Sequence, residues 1–119
     1  MKKTIVIGAS LKSHRYSNKA VRLLTDYGHE VIAIGSKTGQ IEDIEIYTEK
    51  IKVDNVDTIT IYLSPKRQID YYDYILNLKP KRIIMNPGTE NDELKVKALD
   101  AGIEVVEHCT LIMLNMELF

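Results

Sequence analysis

Residues 4–28 read "TIVIGASLKSHRYSNKAVRLLTDYG": four β-branched residues, then Gly8, then a polar basic segment that runs into a helical pattern. A short β-branched run of this kind is typical of a buried strand in a parallel sheet. Ser17 or Asn18 stands where a helix N-cap belongs. Ala20, Val21, Leu24 and Tyr27 then recur at helical spacing, and Gly28 follows where helices commonly stop. Strand, loop and helix in that order form the first unit of an alternating α/β chain. The segment is also lopsided in charge. From Met1 to Thr25 there are six Lys or Arg and no acid, whereas the remainder holds ten bases and seventeen acids.

The alternation continues to the end of the chain. "EVIAIG" (30–35) predicts a second strand, "IEIY" (44–47) a short extra one, and "DTITIYL" (57–63) a third main strand. Ser64 caps the following helix and Pro65 occupies its first position, with Ile69, Tyr72 and Leu76 as the inner stripe. "RIIMN" (82–86) is the fourth strand, and "ENDELKVKALDAG" (90–102) is a helix with acids in its first turn. "IEVVE" (103–107) is the fifth strand, and "CTLIMLNM" (109–116) is a closing helix. Strands separated by single helices imply a parallel sheet with right-handed crossovers and helices on both faces. The expectation is one domain over 1–119: a Rossmann-like three-layer α/β sandwich on a five-stranded, mainly parallel sheet, with main strands in the order 3-2-1-4-5.

Composition bounds the function. The chain has 119 residues, 45 % apolar and 28 % charged, with a formal net charge of −1. That is an ordinary globular composition, and it argues against a general nucleic-acid binder, whose domain would be basic throughout. Cys109 is the single cysteine, so no intrachain disulfide forms, as suits a reducing compartment. The apolar run behind the basic start is too short for a signal peptide, and none reaches the roughly 18 residues of a membrane span. These features predict a soluble cytoplasmic protein.

In sheets of this kind ligands bind beyond the carboxyl ends of the strands, where strand order reverses. The residues bordering that rim are Gly8, Ala9 and Ser10; Gly35, Ser36 and Lys37; Ser64 and Pro65; and Asn86, Pro87 and Gly88. Three helix N-termini aim their free N–H groups at it, so the rim attracts anions. The NAD fingerprint G-x-G-x-x-G is absent, since the loop carries only Gly8, and no Walker sequence occurs. Lys37 stands where an NAD site places a carboxylate, which suits a phosphorylated ribose. NADP and coenzyme A both offer one. The long basic loop without a glycine triplet favours coenzyme A.

"VIGAS", followed by Arg15-Tyr16-Ser17-Asn18 opening a helix, resembles the first loop of the single-domain bacterial CoA-binding proteins. These are relatives of the N-terminal domain of the succinyl-CoA synthetase alpha subunit. "GHEVIAIGSK", "DTITIYLSPKR", "NPGTEN" and "ALDAGIEVVEHCTLIML" resemble the family's later segments in order and spacing. There are departures. Asn86 stands where the family usually has Gln, Gly35-Ser36 replaces its Asn-Pro, and a glycine usual in the next loop is replaced near Asp43. The resemblance implies binding of coenzyme A or a CoA thioester; it does not imply a reaction.

The candidate ligand residues are therefore Gly8, Ala9, Ser10, Arg15, Tyr16, Ser17, Asn18, Lys37, Ser64, Pro65 and Asn86. The diphosphate is expected on the first loop and helix, the ribose phosphate at Lys37 or Arg15, and the pantetheine arm across the turns at Ser64 and Asn86. His108 and Cys109 are neighbours in an extended segment and point to opposite faces, so no nucleophile–base pair is expected there. No spacing suggests a metal site. Two rivals stay open: a small NADP- or nucleotide-binding enzyme, and an interaction subunit with a vestigial ligand site. The oligomeric state, a homo-oligomer included, is open as well.

Overall fold

The computed structural model describes all residues, Met1–Phe119. The first strand, β1, spans Thr4–Ala9 and the first helix, α1, spans Tyr16–Asp26. Then come β2 (Val31–Gly35), β3 (Gly39–Ile41), β4 (Ile44–Tyr47) and β5 (Thr58–Ile61). The helical segment after Pro65 is divided. It runs as α2 (Pro65–Gln68), a 3-10 turn (Ile69–Tyr71) and α3 (Tyr72–Leu78). The chain closes with β6 (Arg82–Met85), α4 (Asp92–Asp100), β7 (Glu104–Glu107) and α5 (Thr110–Asn115).

The sheet has seven strands in the order β3-β4-β2-β1-β5-β6-β7, not the five expected. All neighbours pair in parallel except β3 and β4, which form an antiparallel hairpin. The expected order is corrected too. The "DTITIYL" strand lies beside β1, not beside β2, because the short "IEIY" strand holds the place next to β2 through Ala33↔Ile46 and Ile34↔Tyr47. Burial explains how four residues hold it: Ile46 is only 1 % exposed, packed among Val31, Ala33 and Val21. Strand order still reverses at β1, which has β2 on one side and β5 on the other.

Alternate side chains divide the core in two. Ile5, Ile7, Ile59, Ile61, Ile83 and Met85 meet α3 and α4 through Tyr72, Ile75, Leu94 and Ala98. Val6, Val31, Ala33 and Ile46 meet α1 and α5 through Val21, Leu24 and Leu114. The inner stripe after Pro65 differs from the even helical spacing. Tyr72 and Ile75 are buried while Ile69 is exposed, since a 3-10 turn advances three residues per turn and rotates the later residues out of phase. No helix is long and apolar enough to cross a membrane.

Candidate functional site

Gly8 sits at the rim of the sheet with φ +95°, and a Cβ there would lie 3.0 Å from the backbone carbon of Tyr62. A side chain would thus be strained by both conformation and space. The β1–β2 register breaks between Ile7 and Ala9, and Ala9 then pairs with Gly35. The chain leaves the sheet through Ser10 and forms a loop that ends at Arg15, the N-cap of α1. Ser17 and Asn18 lie inside the first turn of α1 and do not cap it, and the N-cap makes no side-chain hydrogen bond. The first intrahelical bond runs from the Lys19 N–H to the Arg15 carbonyl, 3.1 Å. The N–H groups of Tyr16, Ser17 and Asn18 are consequently left for another acceptor, at the positive end of an 11-residue helix.

Tyr16 and Ser17, two of these three residues, border a cavity of about 490 Å³, within the usual range for a small-molecule site. Gly8, Ala9, Ser10, Arg15, Tyr16, Ser17 and Lys37 line it. Asn18, Ser64, Pro65 and Asn86 do not. Lys12, Arg67, Tyr62 and Leu63 join the lining, with Ser36, Leu11, Pro87 and Thr89. Four cations therefore face the cavity, Lys12, Arg15, Lys37 and Arg67, with no carboxylate among the lining residues. Only two of the six N-terminal bases are among them. Lys3 pairs with Glu30 at 3.9 Å at the far end of β1, Lys19 lies 5.4 Å from the centre of the Tyr16 ring, and Arg22 is bonded to Asn18. Arg67 carried no signal in sequence beyond following the Ser64-Pro65 helix start by two residues.

Asn86 is buried beneath the rim, and its amide is fully engaged. Its Nδ2 donates to the Thr60 hydroxyl at 2.7 Å and the Ile61 carbonyl at 2.9 Å, while its Oδ1 accepts the Thr110 N–H at 2.8 Å. It thereby serves the first N–H of α5, whose own N-cap residue, Cys109, makes no side-chain bond. A second buried network sets the turns beyond β5 and β6. Gln68 Nε2 donates to the carbonyls of Leu63 and Thr89, each at 2.8 Å, and Gln68 Oε1 accepts from Asn91 at 2.9 Å. Asn91 also caps α4 by accepting from the Glu93 and Leu94 N–H groups. The start of α4 is thus satisfied by its own side chain, whereas that of α1 is open to the cavity.

Tyr62 forms part of the cavity wall, and its hydroxyl is buried with no hydrogen-bond partner. Burial pushes that hydroxyl far above the ordinary tyrosine range, so it stays protonated. The His108 ring is turned toward backbone: its Nδ1 accepts the Cys109 N–H at 2.8 Å. No group of three or more His, Cys, Asp or Glu side chains is placed to hold a metal ion.

The chain matches the CoA binding domain family over residues 2–115. No curated protein matches it. Among solved structures, an uncharacterized protein is 45 % identical with a TM-score of 0.97, the match covering 100 % of this chain and 98 % of that one. A hypothetical protein from Pyrococcus horikoshii OT3 is 23 % identical with a TM-score of 0.87, over 98 % of this chain and 83 % of that one. The dinucleotide-forming acetyl-coenzyme A synthetase 1 of Ca. Korarchaeum cryptofilum, solved with phosphate and ADP, is 20 % identical with a TM-score of 0.70. There the match covers 89 % of this chain but 25 % of the synthetase. The last two likenesses concern the fold alone. With the family match running over nearly its whole length, this chain belongs to the CoA binding domain family.

Proposed function

We propose that the protein binds coenzyme A or a CoA thioester in the rim cavity and carries out no reaction on it. One observation carries this reading: the uncapped start of α1 opens into a cavity faced by four cations and no acid. The donor set suits the ligand's chemistry. Free amides of Tyr16 and Ser17 offer the diphosphate the fixed dipoles that helix starts provide. Arg15 offers a fork that pairs phosphate in bidentate fashion, and Lys37, beyond β2, offers a point charge for the ribose phosphate. The uncharged pantetheine arm has Tyr62, Leu63 and Pro87 to cross on the β5 and β6 side. Ser64 and Asn86, expected to meet that arm, stand outside the cavity, so the neighbouring Leu63, Pro87 and Thr89 take their place in this reading.

Calorimetric titration separates this proposal from its rivals. CoA is expected to bind well ahead of NADPH, and at a concentration a thousandfold above its Kd to add about 4 kcal/mol of stability. Preference for NADPH would return the site to the nucleotide-enzyme reading. Binding of neither would leave the interaction subunit with a vestigial cavity.

Arg15→Ala is expected to weaken CoA about tenfold, the loss of one hydrogen-bonded charge contact. Comparison with dephospho-CoA locates that contact. A larger loss for CoA places Arg15 on the ribose phosphate, and an equal loss for both places it on the diphosphate. An unchanged affinity for both would remove Arg15 from the site.

A further inference from the structure

The cavity's basic loop packs Leu11 over Gly39, and a pair of side chains on α1 anchors its backbone by hydrogen bonds. Asn18, 4 % exposed, donates through Nδ2 to the Ser10 carbonyl at 2.8 Å. Arg22, one turn further along α1, donates through Nε to Asn18 Oδ1 at 2.8 Å and through Nη2 to the Ser13 carbonyl at 3.0 Å. Besides these, residues 10–14 are tied to the rest of the molecule by the bond from the Arg15 N–H to the Lys12 carbonyl, where the loop runs into α1; the bond from the Lys12 N–H to Ser10 Oγ is internal. The two anchored carbonyls flank Lys12, and Arg15 follows two residues after the second. Removal of the clamp releases the Ser10 and Ser13 carbonyls, the two side-chain anchors of the backbone that carries both cations.

We propose that Arg22 is a positioning residue: it presets the anion loop for its ligand through Asn18 and Ser13, without facing the cavity itself. The proposal rests on the CoA reading for its ligand and on the loop geometry for its mechanism. Ordering a loop at the moment of binding costs free energy, and a loop ordered beforehand spares that cost. The guanidinium geometry is what allows it. Nε and Nη2 sit at fixed positions on one planar fork and satisfy two acceptors together, whereas a lysine ammonium is a compact point charge on a flexible stem. Charge and bracing can therefore be separated by one substitution.

The test compares Arg22→Lys and Arg22→Ala with wild type in two measurements. Amide hydrogen exchange of the ligand-free protein is expected to quicken at Lys12 and Arg15, the two loop amides that have acceptors, in both variants, with the sheet unaffected. CoA titration is expected to show about tenfold weaker binding in both, with Arg22→Lys keeping the wild-type dependence of affinity on salt concentration. An Arg22→Lys protein that binds CoA as tightly as wild type would overturn the proposal, since charge alone would then suffice. Unchanged exchange at Lys12 and Arg15 in both variants would overturn it as well. Faster exchange in a protein whose wild type fails to bind CoA would uphold the clamp and remove the CoA reading.

Discussion

Gly35→Ala is expected to destabilise the protein by about 3 kcal/mol or more, the upper end of what overpacking a filled core costs. Gly35 is the last residue of β2 and pairs with Ala9 at the rim. A Cβ built on it would lie 2.3 Å from the Ala9 carbonyl oxygen and 3.1 Å from Ile46 Cγ2. The nearer atom is backbone, held where β1 turns into its loop, so no rotamer change relieves the clash. The strands must separate or the loop must move. Against a total stability of about 5–15 kcal/mol, such a loss is a large fraction. Urea unfolding is the direct measurement, with the midpoint falling at unchanged slope. A midpoint equal to wild type would show that β1 and β2 part without cost, contrary to the close approach described.

Asn86→Ala is expected to cost about 3 kcal/mol as well, for a different reason. The amide joins β5, β6 and α5 through three hydrogen bonds. Truncation leaves the Thr110 N–H and the Ile61 carbonyl buried without that partner, and each such orphan costs about 1–3 kcal/mol. Thr60 keeps a partner in the Thr110 hydroxyl at 2.7 Å, which limits the loss. The Asn86 side chain does not reach the cavity, so CoA affinity measured well below the unfolding temperature is expected to stay within a few-fold of wild type. A large affinity loss with little change in stability would instead restore Asn86 to the ligand contacts expected from its place in the chain.

Much of this architecture was legible before any coordinates. The runs "TIVI", "VIAI", "TITI" and "RIIM" announce strands by their β-branched and aliphatic residues, and glycine after α1 and α4 marks where those helices stop. The loop after β1 stands out in the sequence as the candidate site through its charge and position. The extra strands were harder. Gly39–Ile41 contains a glycine and one apolar residue, and only its pairing with β4 makes it a strand. The strand order depended on which partner β2 took, a long-range choice that periodicity does not encode. Asn86 at the end of "RIIMN" looks like a rim residue, since nothing local indicates that Thr60 and Thr110, each more than twenty residues away, converge on it. Nothing local singles out Arg22 either, since the carbonyl it grips belongs to a loop nine residues earlier.

The borders of the sheet have a consequence of their own. A row of unpaired backbone groups invites another chain to add itself, which is how edge-to-edge aggregation begins. Here one border is a strand of three residues, β3, and the other is β7, four residues long with a glutamate at each end. Neither offers a long, flat, uncharged template, so a wide parallel sheet is terminated at both sides by segments poorly suited to recruiting a neighbour.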